Sequence, residues 1–554
     1  MLIRFMREMA NRSQFPARRL SMLLLLGSLL LALVGAFAHS MLEFDHNEQM
    51  YITAGVLVAQ HKQLYQDFAY LQTPYLPLIY GALLRAFHIS AYYLLFGKLF
   101  SYICYVAACV TLFWITYMVT GRRVASLATA ILFALNSAVV NVSAESSNYI
   151  LPITCTFLAF ALFVYGNERQ WTDRFALFGC GLLVAIASGV KLYYVTALLP
   201  FTILLLGFPR QRSVGQRLVY RFLPFSLGVV CGLTPLLIYL YTDFDRFLFD
   251  NLTFHALNTQ WRILDGTSEA MSLPAKLQVA GTALLRLDTG LILYASLLAL
   301  VWLGGGHWFR PSAPPEEPRS SKDAVLQPTT LYTLLTALLT LAGLVTAFVP
   351  TPAFGQYFVM PISFLFLLFG VQLARFPVVW HWLQEFLLLT AVLVTLLFVA
   401  PARLGEIQQA VDLSNWRPLR IHDTAYAIRA ALRKAGVPLT GQVATVSPLY
   451  AVEANLPIYP ELASGQFLFR IGDLLSEAER LHYVGTSRES ITALLMQRPP
   501  NAIIVGFSGD LEEPLAEYGE ASGYTKIEKL GEGATLYIRP LRFYPKTSVC
   551  NQAC

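Results

Sequence analysis

The segment FDHNEQMY, residues 44–51, places an acid, a histidine and a second acid directly after a run of about twenty apolar residues. Such a run is long enough to cross a bilayer as a helix. Charged side chains at the end of a membrane helix are costly unless they reach water or a polar cavity. The segment therefore indicates a membrane helix that ends at a polar site.

The composition extends this interpretation to most of the chain. Of the 554 residues, 56% are apolar and only 13% are charged, which is typical of a polytopic membrane protein with a smaller soluble part. Apolar windows of about 20 residues predict eleven spans, near residues 20–40, 93–118, 124–142, 149–166, 174–190, 192–208, 220–241, 281–303, 329–349, 357–374 and 383–401. An odd number of spans places the two termini on opposite sides of the membrane. Residues 174–208 can also be interpreted as one long broken span, which would reverse the side of everything that follows.

The basic residues indicate which side is which. The N-terminal segment and alternate connections hold 17 Arg and Lys, whereas the opposite connections before the last span hold 6. Because short cytoplasmic loops collect Arg and Lys, we predict a cytoplasmic N-terminus and an exported first loop, residues 41–92. Ala36-Phe37-Ala38 also fits a signal peptidase site, and the loop is exported whether or not the first helix is cleaved. The protein is thus expected in the inner (plasma) membrane, with its C-terminal segment periplasmic or extracellular.

Residues 1–401 form the predicted transmembrane domain and residues 402–554 a small soluble α/β domain outside the membrane. In the latter, QVATVS and NAIIVGF predict strands, SRESITALLMQ a helix opened by serine, and YTKIEKLGEGATLYIRP a hairpin that turns at Gly-Glu-Gly. The tail contains no nucleotide-binding glycine fingerprint, P-loop or CxxC pair, and no nucleic-acid partner is predicted. Residues 311–322, PSAPPEEPRSSK, form a proline-rich cytoplasmic linker that cannot bury a core.

The cysteines divide into two sets. Five lie in predicted spans, where a small apolar packing role is expected: Cys104, Cys109, Cys155, Cys180 and Cys231. Cys550 and Cys554 lie at the end of the exported tail, where an oxidising compartment would allow them to pair with each other or with a partner.

The first outer loop, residues 41–92, contains two helix-like amphipathic pieces, NEQMYITAGVLVAQH and YLPLIYGALLRAF, joined by LYQDFAYLQTPY. Pieces of this kind suit helices that lie in the interface plane, with aromatic side chains at headgroup level. The loop is therefore expected to be structured and to shape a site at the membrane surface.

These motifs, in this order, resemble the GT-C superfamily of membrane glycosyltransferases, and most closely its protein-mannosyltransferase and aminoarabinose-transferase-like branch. The likeness extends over most of the chain and rests on FDHNEQMYITAG, LYQDFAYLQTPYLPLIY, a later GVK at a span end, PTPAFGQYFVMP, PPNAIIVGF and GYTKIEKLGEGATLYIRP. It implies an inverting transferase that uses a polyprenyl-phosphate sugar donor on the outer face, with a membrane lipid, a cell-envelope glycan or a protein as acceptor.

The resemblance also implies roles for individual residues. The family's catalytic base is an Asp of the first outer loop, usually within an Asp-Glu pair; here Asp45 takes that position and His46 stands where Glu is usual. Gln72 replaces a frequent Lys, and Glu145 and Asn148 lie where the second outer turn often has an acid. These departures affect the identity of the sugar and any role for a metal.

The chemistry of the residues supports the same assignment. A sugar on a lipid phosphate has a good leaving group, so the reaction needs a carboxylate to accept a proton and cations to hold phosphate charge. Asp45 can supply the carboxylate, or it can simply cap the helix that begins at Asn47. Glu48 lies on the same helical face and can bind sugar hydroxyls or orient the base. His46 and Glu48 have metal-ligand spacing without an evident third ligand, so no cofactor is predicted and a divalent metal stays open.

Further candidates have a structural alternative each. Asp67 either lines the site or ends a turn, and Lys191 either holds the donor phosphate or extends to lipid headgroups. In the loop 243–280, phosphate contacts or plain solvation are possible for His255, Arg262 and Lys276. Gln356 and Tyr357 at an outer span end are either lipid-binding residues or an interface anchor and its neighbour.

Two other classes of function compete with the enzyme. A transporter or lipid flippase would place its binding site near the bilayer midplane, with charges or broken helices in the spans. The predicted spans contain almost no ionisable residues and the polar residues gather at outer ends, which favours the enzyme. A non-catalytic scaffold is the third alternative.

Overall fold

The computed structural model describes residues 2–169, 171, 173–208, 213–266, 271–305 and 328–540, with side chains from residue 21 onward except those of 303–305. The first half of the membrane part contains α1 (Leu2–Leu42), α2 (Asn47–Ala59), α3 (Tyr75–Ala86), α4 (Tyr93–Thr120), α5 (Arg123–Leu135), α6 (Ser137–Ala144), α7 (Ile150–Glu168), α8 (Arg174–Val190), a 3-10 helix (Leu192–Ala197) and α9 (Leu198–Gly207). The second half contains α10 (Val214–Arg217), a π-helix (Leu218–Phe222), α11 (Leu223–Thr242), α12 (Phe244–Leu248), a π-helix (Phe249–Thr253), α13 (Phe254–Leu264), α14 (Leu273–Leu284), α15 (Leu287–Gly305), α16 (Pro328–Ala347), a 3-10 helix (Gly355–Phe358), α17 (Val359–Gln372) and α18 (His381–Ala410).

The predicted spans all coincide with apolar helices. Within the described ranges, seven helices are long and apolar enough to cross a membrane, or nine when two bent pairs each count as one span. The pairs are α5 with α6, bent by 60°, and α14 with α15, bent by 91°. The two shorter apolar helices, Arg174–Val190 and Leu192–Gly207, meet at Lys191. The prediction of a polytopic α-helical membrane protein is therefore confirmed.

Close packing of glycines joins α8 to α11. A Cβ atom on Gly181 would lie 2.0 Å from the Phe225 carbonyl oxygen, and one on Gly228 would lie 2.0 Å from that of Phe178. The two backbones approach this closely because neither glycine has a side chain, as is common between membrane helices. At the centre of the bundle, α17 is buried along its whole length.

The first outer loop forms the two predicted helices, but the surroundings of these helices differ from the prediction. Residues 48–58 of α2 are all buried, because the helix packs against α3, α4 and a helix of the C-terminal unit, α20 (Pro448–Glu453). The prediction that the helices present aromatic side chains at headgroup level is thus wrong for α2. Apolar residues are spread evenly around α2, as expected of a helix enclosed by protein. Only α3 retains an exposed side.

The C-terminal unit contains the predicted α/β elements. Its helices are α19 (Arg417–Lys434), α20, α21 (Gln466–Ile471), α22 (Glu477–His482), α23 (Ile491–Gln497) and α24 (Glu513–Ala521), and its strands are β1 (Val443–Ala444), β2 (Ala502–Val505), β3 (Thr525–Ile527) and β4 (Thr535–Ile538). The sheet order is β1-β2-β4-β3, with β1 and β2 parallel and the other pairs antiparallel. The β3–β4 hairpin turns through Gly531, Glu532 and Gly533, all at positive φ. Ser490 precedes α23 without capping it through its side chain.

The predictions for the cysteines, the linker and the domain boundary have different outcomes. Cys550, Cys554 and the linker at 311–322 lie outside the described residues. Of the five span cysteines, four are buried as expected, but Cys231 is exposed on α11 and has no packing role there. The division at residue 401 stays a prediction, and α18 continues past it to Ala410.

Candidate active site

Asp45 lies half-buried in the turn that leads into α2. Its Oδ1 accepts the Asn47 N–H at 2.7 Å, and its own N–H donates to Oε1 of Glu48 at 3.0 Å. One carboxylate oxygen thus bonds the first residue of the helix, whereas the N-cap position itself is His46, which makes no side-chain capping bond. Among the described residues no hydrogen-bond donor contacts Oδ2, so Asp45 has an oxygen available to accept a proton.

Glu48 is fully buried and both of its carboxylate oxygens are occupied. Oε1 accepts Nζ of Lys98 at 3.0 Å, and Oε2 accepts the Ser146 N–H at 2.7 Å. Lys98, also fully buried, donates a second bond to the Ala144 carbonyl at 2.9 Å. Burial raises the pKa of Glu48, and the Lys98 charge with the two N–H groups opposes that rise. Glu48 therefore has protein partners where a sugar hydroxyl was expected.

Lys98 was not predicted as a site residue, although a signal was present in the sequence. It lies alone in the apolar segment YYLLFGKLFSY, and an ionisable residue in a span usually pairs with an internal partner. Arg221 and Asp288 are likewise buried within predicted spans. The expectation that the spans contain almost no ionisable residues is therefore wrong. These side chains are satisfied or stacked inside the protein.

Glu145 follows α6 and lies near Asp45. Burial raises the pKa of Glu145 to about 8; Asp45 and Glu48 add to the shift, and Lys98 and Lys191 oppose it. Two carboxyl groups this close favour a state in which one is protonated. Glu145 is therefore the member of this group that favours the neutral carboxylic acid at neutral pH.

Lys191 occupies the break between α8 and the following 3-10 helix. Its Nζ donates to Oδ1 of Asn148 at 2.7 Å and lies 3.2 Å from the centre of the Tyr149 ring. The side chain is 5% exposed, which contradicts the alternative that it extends to lipid headgroups. Asn148 in turn donates Nδ2 to Oε1 of Gln72 at 3.0 Å. Lys191 is therefore an amine held inside the protein near Glu145.

Several aromatic residues surround this amine. Tyr357 lies within electrostatic range of Tyr51, Tyr149 and Tyr193. His255 is close enough to Lys191 that burial, together with that charge, lowers the pKa of the imidazole to about 4. His255 itself keeps an exposed surface on α13. The structure thus brings His255 and Tyr357 to the group around Lys191.

Arg262 and Gln356 lie at the edge of this group. The Arg262 guanidinium lies 5.4 Å from the Phe354 ring, which in turn packs edge-on against Tyr357. Gln356 lies in the same short 3-10 helix as Tyr357. Lys276 is buried and donates to the Phe348 carbonyl and to Thr351 Oγ1, so it is neither solvated nor free for a phosphate.

The structure does not join Asp67 or His46 to the site. The exposed Asp67 carboxylate accepts the Gln63 N–H at 2.8 Å and closes its own turn. His46 is exposed and faces Glu512 of the C-terminal unit. A metal at His46 and Glu48 does not fit, because the Lys98 ammonium takes the cation position beside Glu48. The described residues contain no group of three or more His, Cys, Asp or Glu arranged to hold a metal.

Comparison with known proteins identifies solved structures of similar fold. Two crystal structures of ArnT from Cupriavidus metallidurans superpose over nearly the whole chain. The apo form has a TM-score of 0.55 and 12% identity, covering 94% of this chain and 98% of ArnT. The form bound to undecaprenyl phosphate has a TM-score of 0.54 and 11% identity, covering 93% and 97%. The chain shares the fold of ArnT.

A further GT-C structure matches more loosely. The Archaeoglobus fulgidus oligosaccharyltransferase in complex with Zn and sulfate has a TM-score of 0.46 and 12% identity, covering 94% of this chain and 74% of its own. No family model and no curated protein sequence matches the chain. The fold shared with the two ArnT structures confirms the fold that the expected resemblance implied.

Proposed function

We propose that the protein transfers a sugar from a polyprenyl-phosphate donor to a hydroxyl-bearing acceptor, with inversion, on the outer face of the membrane. The observation that carries this proposal is the position of Glu145 between Asp45, which keeps one carboxylate oxygen free, and the buried amine of Lys191. The GT-C fold supports it, because one ArnT structure of that fold is bound to undecaprenyl phosphate.

The proposed reaction is a single displacement at the anomeric carbon. The acceptor oxygen forms a bond to that carbon while the bond to the phosphate oxygen breaks. Asp45 accepts the acceptor's hydroxyl proton, and polyprenyl phosphate leaves with the bonding electrons. Lys191 stabilises the charge that develops on the phosphate, which a buried ammonium does better than a solvated one.

The neighbouring residues have supporting roles in this proposal. Glu145, neutral below about pH 8, donates a hydrogen bond without adding negative charge beside the phosphate. His255 is also neutral at physiological pH, so it likewise adds no charge to this site. Tyr357, Gln356 and Arg262, at the edge of the group around Lys191, are assigned contacts with the donor's phosphate or sugar.

The orientation belongs to the same proposal. Residues 41–92 and the C-terminal unit lie outside the inner (plasma) membrane, and the N-terminus lies in the cytoplasm. The 17-to-6 distribution of Arg and Lys supports this orientation.

The lipid and glycan profile of cells that lack the protein tests the function directly. A transferase predicts one polyprenyl-linked sugar that accumulates and one sugar missing from an envelope glycan, lipid or protein. The purified protein should then release polyprenyl phosphate from that donor when the acceptor is present. Movement of the donor across vesicles without release of polyprenyl phosphate would instead support a flippase.

The Asp45→Asn variant tests the base. It keeps the Oδ1 bond to Asn47 and removes basicity, so turnover should fall by roughly 10²-fold or more. Thermal unfolding should change little. Asp67→Asn is the matched control, because Asp67 is an exposed turn acid of the same loop and its substitution should leave turnover unchanged. Near-normal turnover of Asp45→Asn would leave helix capping as the role of Asp45.

A further inference from the structure

The two acids of the site lie in different segments of the chain but share one anchor. Glu48 Oε1 accepts the N–H of Asp45 at 3.0 Å, and Oε2 accepts the N–H of Ser146, the residue after Glu145, at 2.7 Å. A single carboxylate therefore holds the main chain beside both acids. A shorter side chain at position 48, or one with fewer acceptor oxygens, would therefore alter how Asp45 and Glu145 are placed relative to each other.

Lys98 completes this arrangement from α4. Its Nζ bonds Glu48 Oε1 at 3.0 Å and the Ala144 carbonyl at 2.9 Å. Glu145 is thus bracketed, with Ala144 held by Lys98 and Ser146 held by Glu48. The helix can approach this turn because residue 97 is glycine: a Cβ there would lie 2.1 Å from Ser146 Oγ.

Neither member of the pair is accessible to a substrate. Both side chains have no exposed surface, and Glu48 accepts three hydrogen bonds from the protein. A buried ion pair adds little net stability compared with apolar residues of similar size, so stability alone is a weak reason for its presence. Its bonds lead to the two acids instead.

We propose that Glu48 and Lys98 are positioning residues, which set the distance and orientation between Asp45 and Glu145 without contacting substrate. The inference rests on the proposed transferase function and deepens it. It also replaces the expectation that Glu48 binds sugar hydroxyls. Two roles were predicted for Glu48, and this inference extends the one in which Glu48 orients the base.

The charges around Glu145 give the inference a second consequence. The ionisable groups that influence it are Asp45, Glu48, Lys98 and Lys191, and it in turn acts on Tyr51 and Tyr149. Glu48 raises the pKa of Glu145 more than Lys98 lowers it. Removing both charges should therefore lower the pKa of Glu145 below its value of about 8.

Two variants test the positioning role. In Glu48→Gln/Lys98→Met neither charge remains, so no buried charge is left unpaired and the protein should fold. The introduced amide offers one acceptor oxygen for two N–H groups, so one acid loses its anchor. Glu48→Asp keeps the charge but is too short to reach both segments. For each variant we expect kcat at least about tenfold below wild type and KM for donor and acceptor within about threefold, because no substrate contact is lost.

The control removes a partly exposed ion pair far from the acids. Arg122→Met/Glu385→Gln deletes an ion pair with an Nη2–Oε1 distance of 3.1 Å that joins the start of α5 to α18. This variant should keep wild-type turnover. Wild-type kcat in the folded Glu48→Gln/Lys98→Met protein would overturn the inference, as would a higher KM for donor or acceptor with unchanged kcat.

Infrared titration of the Glu145 carboxyl band separates this inference from the proposed function. The band is assigned by its loss in Glu145→Gln, and it needs no turnover. Its midpoint should lie near pH 8 in wild type and lower in Glu48→Gln/Lys98→Met. A shifted midpoint without any transfer activity would reject the transferase and keep the arrangement of the acids; an unshifted midpoint would reject the arrangement.

Discussion

At the scale of single residues, the site depends on where charge is satisfied. Lys191 and Lys98 both come from apolar segments, and each is bonded inside the protein rather than to solvent. Their partners differ in kind. Lys98 faces a carboxylate and is neutralised, whereas Lys191 faces an amide and aromatic rings and has no bonded carboxylate among the described residues. This difference makes Lys191 the better candidate for the donor phosphate.

The Lys191→Met variant tests that assignment. It preserves the apolar stem and deletes the charge, so donor binding and turnover should both weaken, by about 10-fold or more for a lost charge-assisted bond. Acceptor binding measured without donor should stay intact. The matched control is Lys62→Met, which removes an exposed lysine of the first outer loop. Unchanged donor kinetics in a well-folded Lys191→Met protein would rule Lys191 out and move the phosphate site to the loop 243–280.

How far the sequence predicts the site also differs residue by residue. Asp45, Glu145 and Lys191 were identifiable because each ends an apolar segment, where charge is costly without a purpose. Lys98 and the double use of Glu48 were not, because they depend on α4 meeting the turn at Ser146, 98 positions from Glu48. Asp67 could not be separated from the other acids, since nothing local distinguishes a turn-closing acid from a site acid.

At the scale of elements, helix positions followed from apolar length and helix shape did not. The bends in the α5–α6 and α14–α15 pairs face each other through polar contacts: Asp288 accepts the Ser137 N–H at 2.7 Å, and Asn136 donates to Thr289 at 2.8 Å. Hydropathy windows cannot detect a break that another helix satisfies. The close approach of α8 and α11 is equally invisible to such windows, although its glycines are plain in the sequence.

The Gly228→Ala variant tests that approach. The new methyl group would lie 2.0 Å from the Phe178 carbonyl oxygen, so the helices must separate, at a cost of about 1–3 kcal/mol. Gly281→Ala is the matched control on α14, where no atom lies within 4 Å of the added Cβ. We expect a lower thermal unfolding midpoint in detergent for Gly228→Ala only. Equal midpoints for the two variants would mean that α8 and α11 are less closely packed than described.

At the scale of the whole molecule, the C-terminal unit packs on the same loops that carry the site. The buried Glu453 accepts the Leu94 N–H at 3.0 Å, at the start of the helix that bears Lys98, and its other oxygen lies 3.2 Å from His422. Arg470 donates to Asn258 of α13, and Tyr483 stacks on Phe249 with ring centres 3.7 Å apart. The unit therefore lies on the same side of the membrane as residues 41–92, whichever side that is.

Cysteine labelling tests which side this is. In a variant that lacks all seven native cysteines, we would place one new cysteine at Glu477, exposed on α22, or at Gly215, exposed in a predicted cytoplasmic connection. A membrane-impermeant thiol reagent should label Glu477→Cys in intact spheroplasts and Gly215→Cys only after lysis, because the distribution of Arg and Lys predicts an exported C-terminal unit. The opposite pattern would move Asp45, Glu145 and the loop that carries them into the cytoplasm together with the C-terminal unit, since the two are packed against each other. Transfer on the outer face would then be impossible, and the proposed function would fail with the topology.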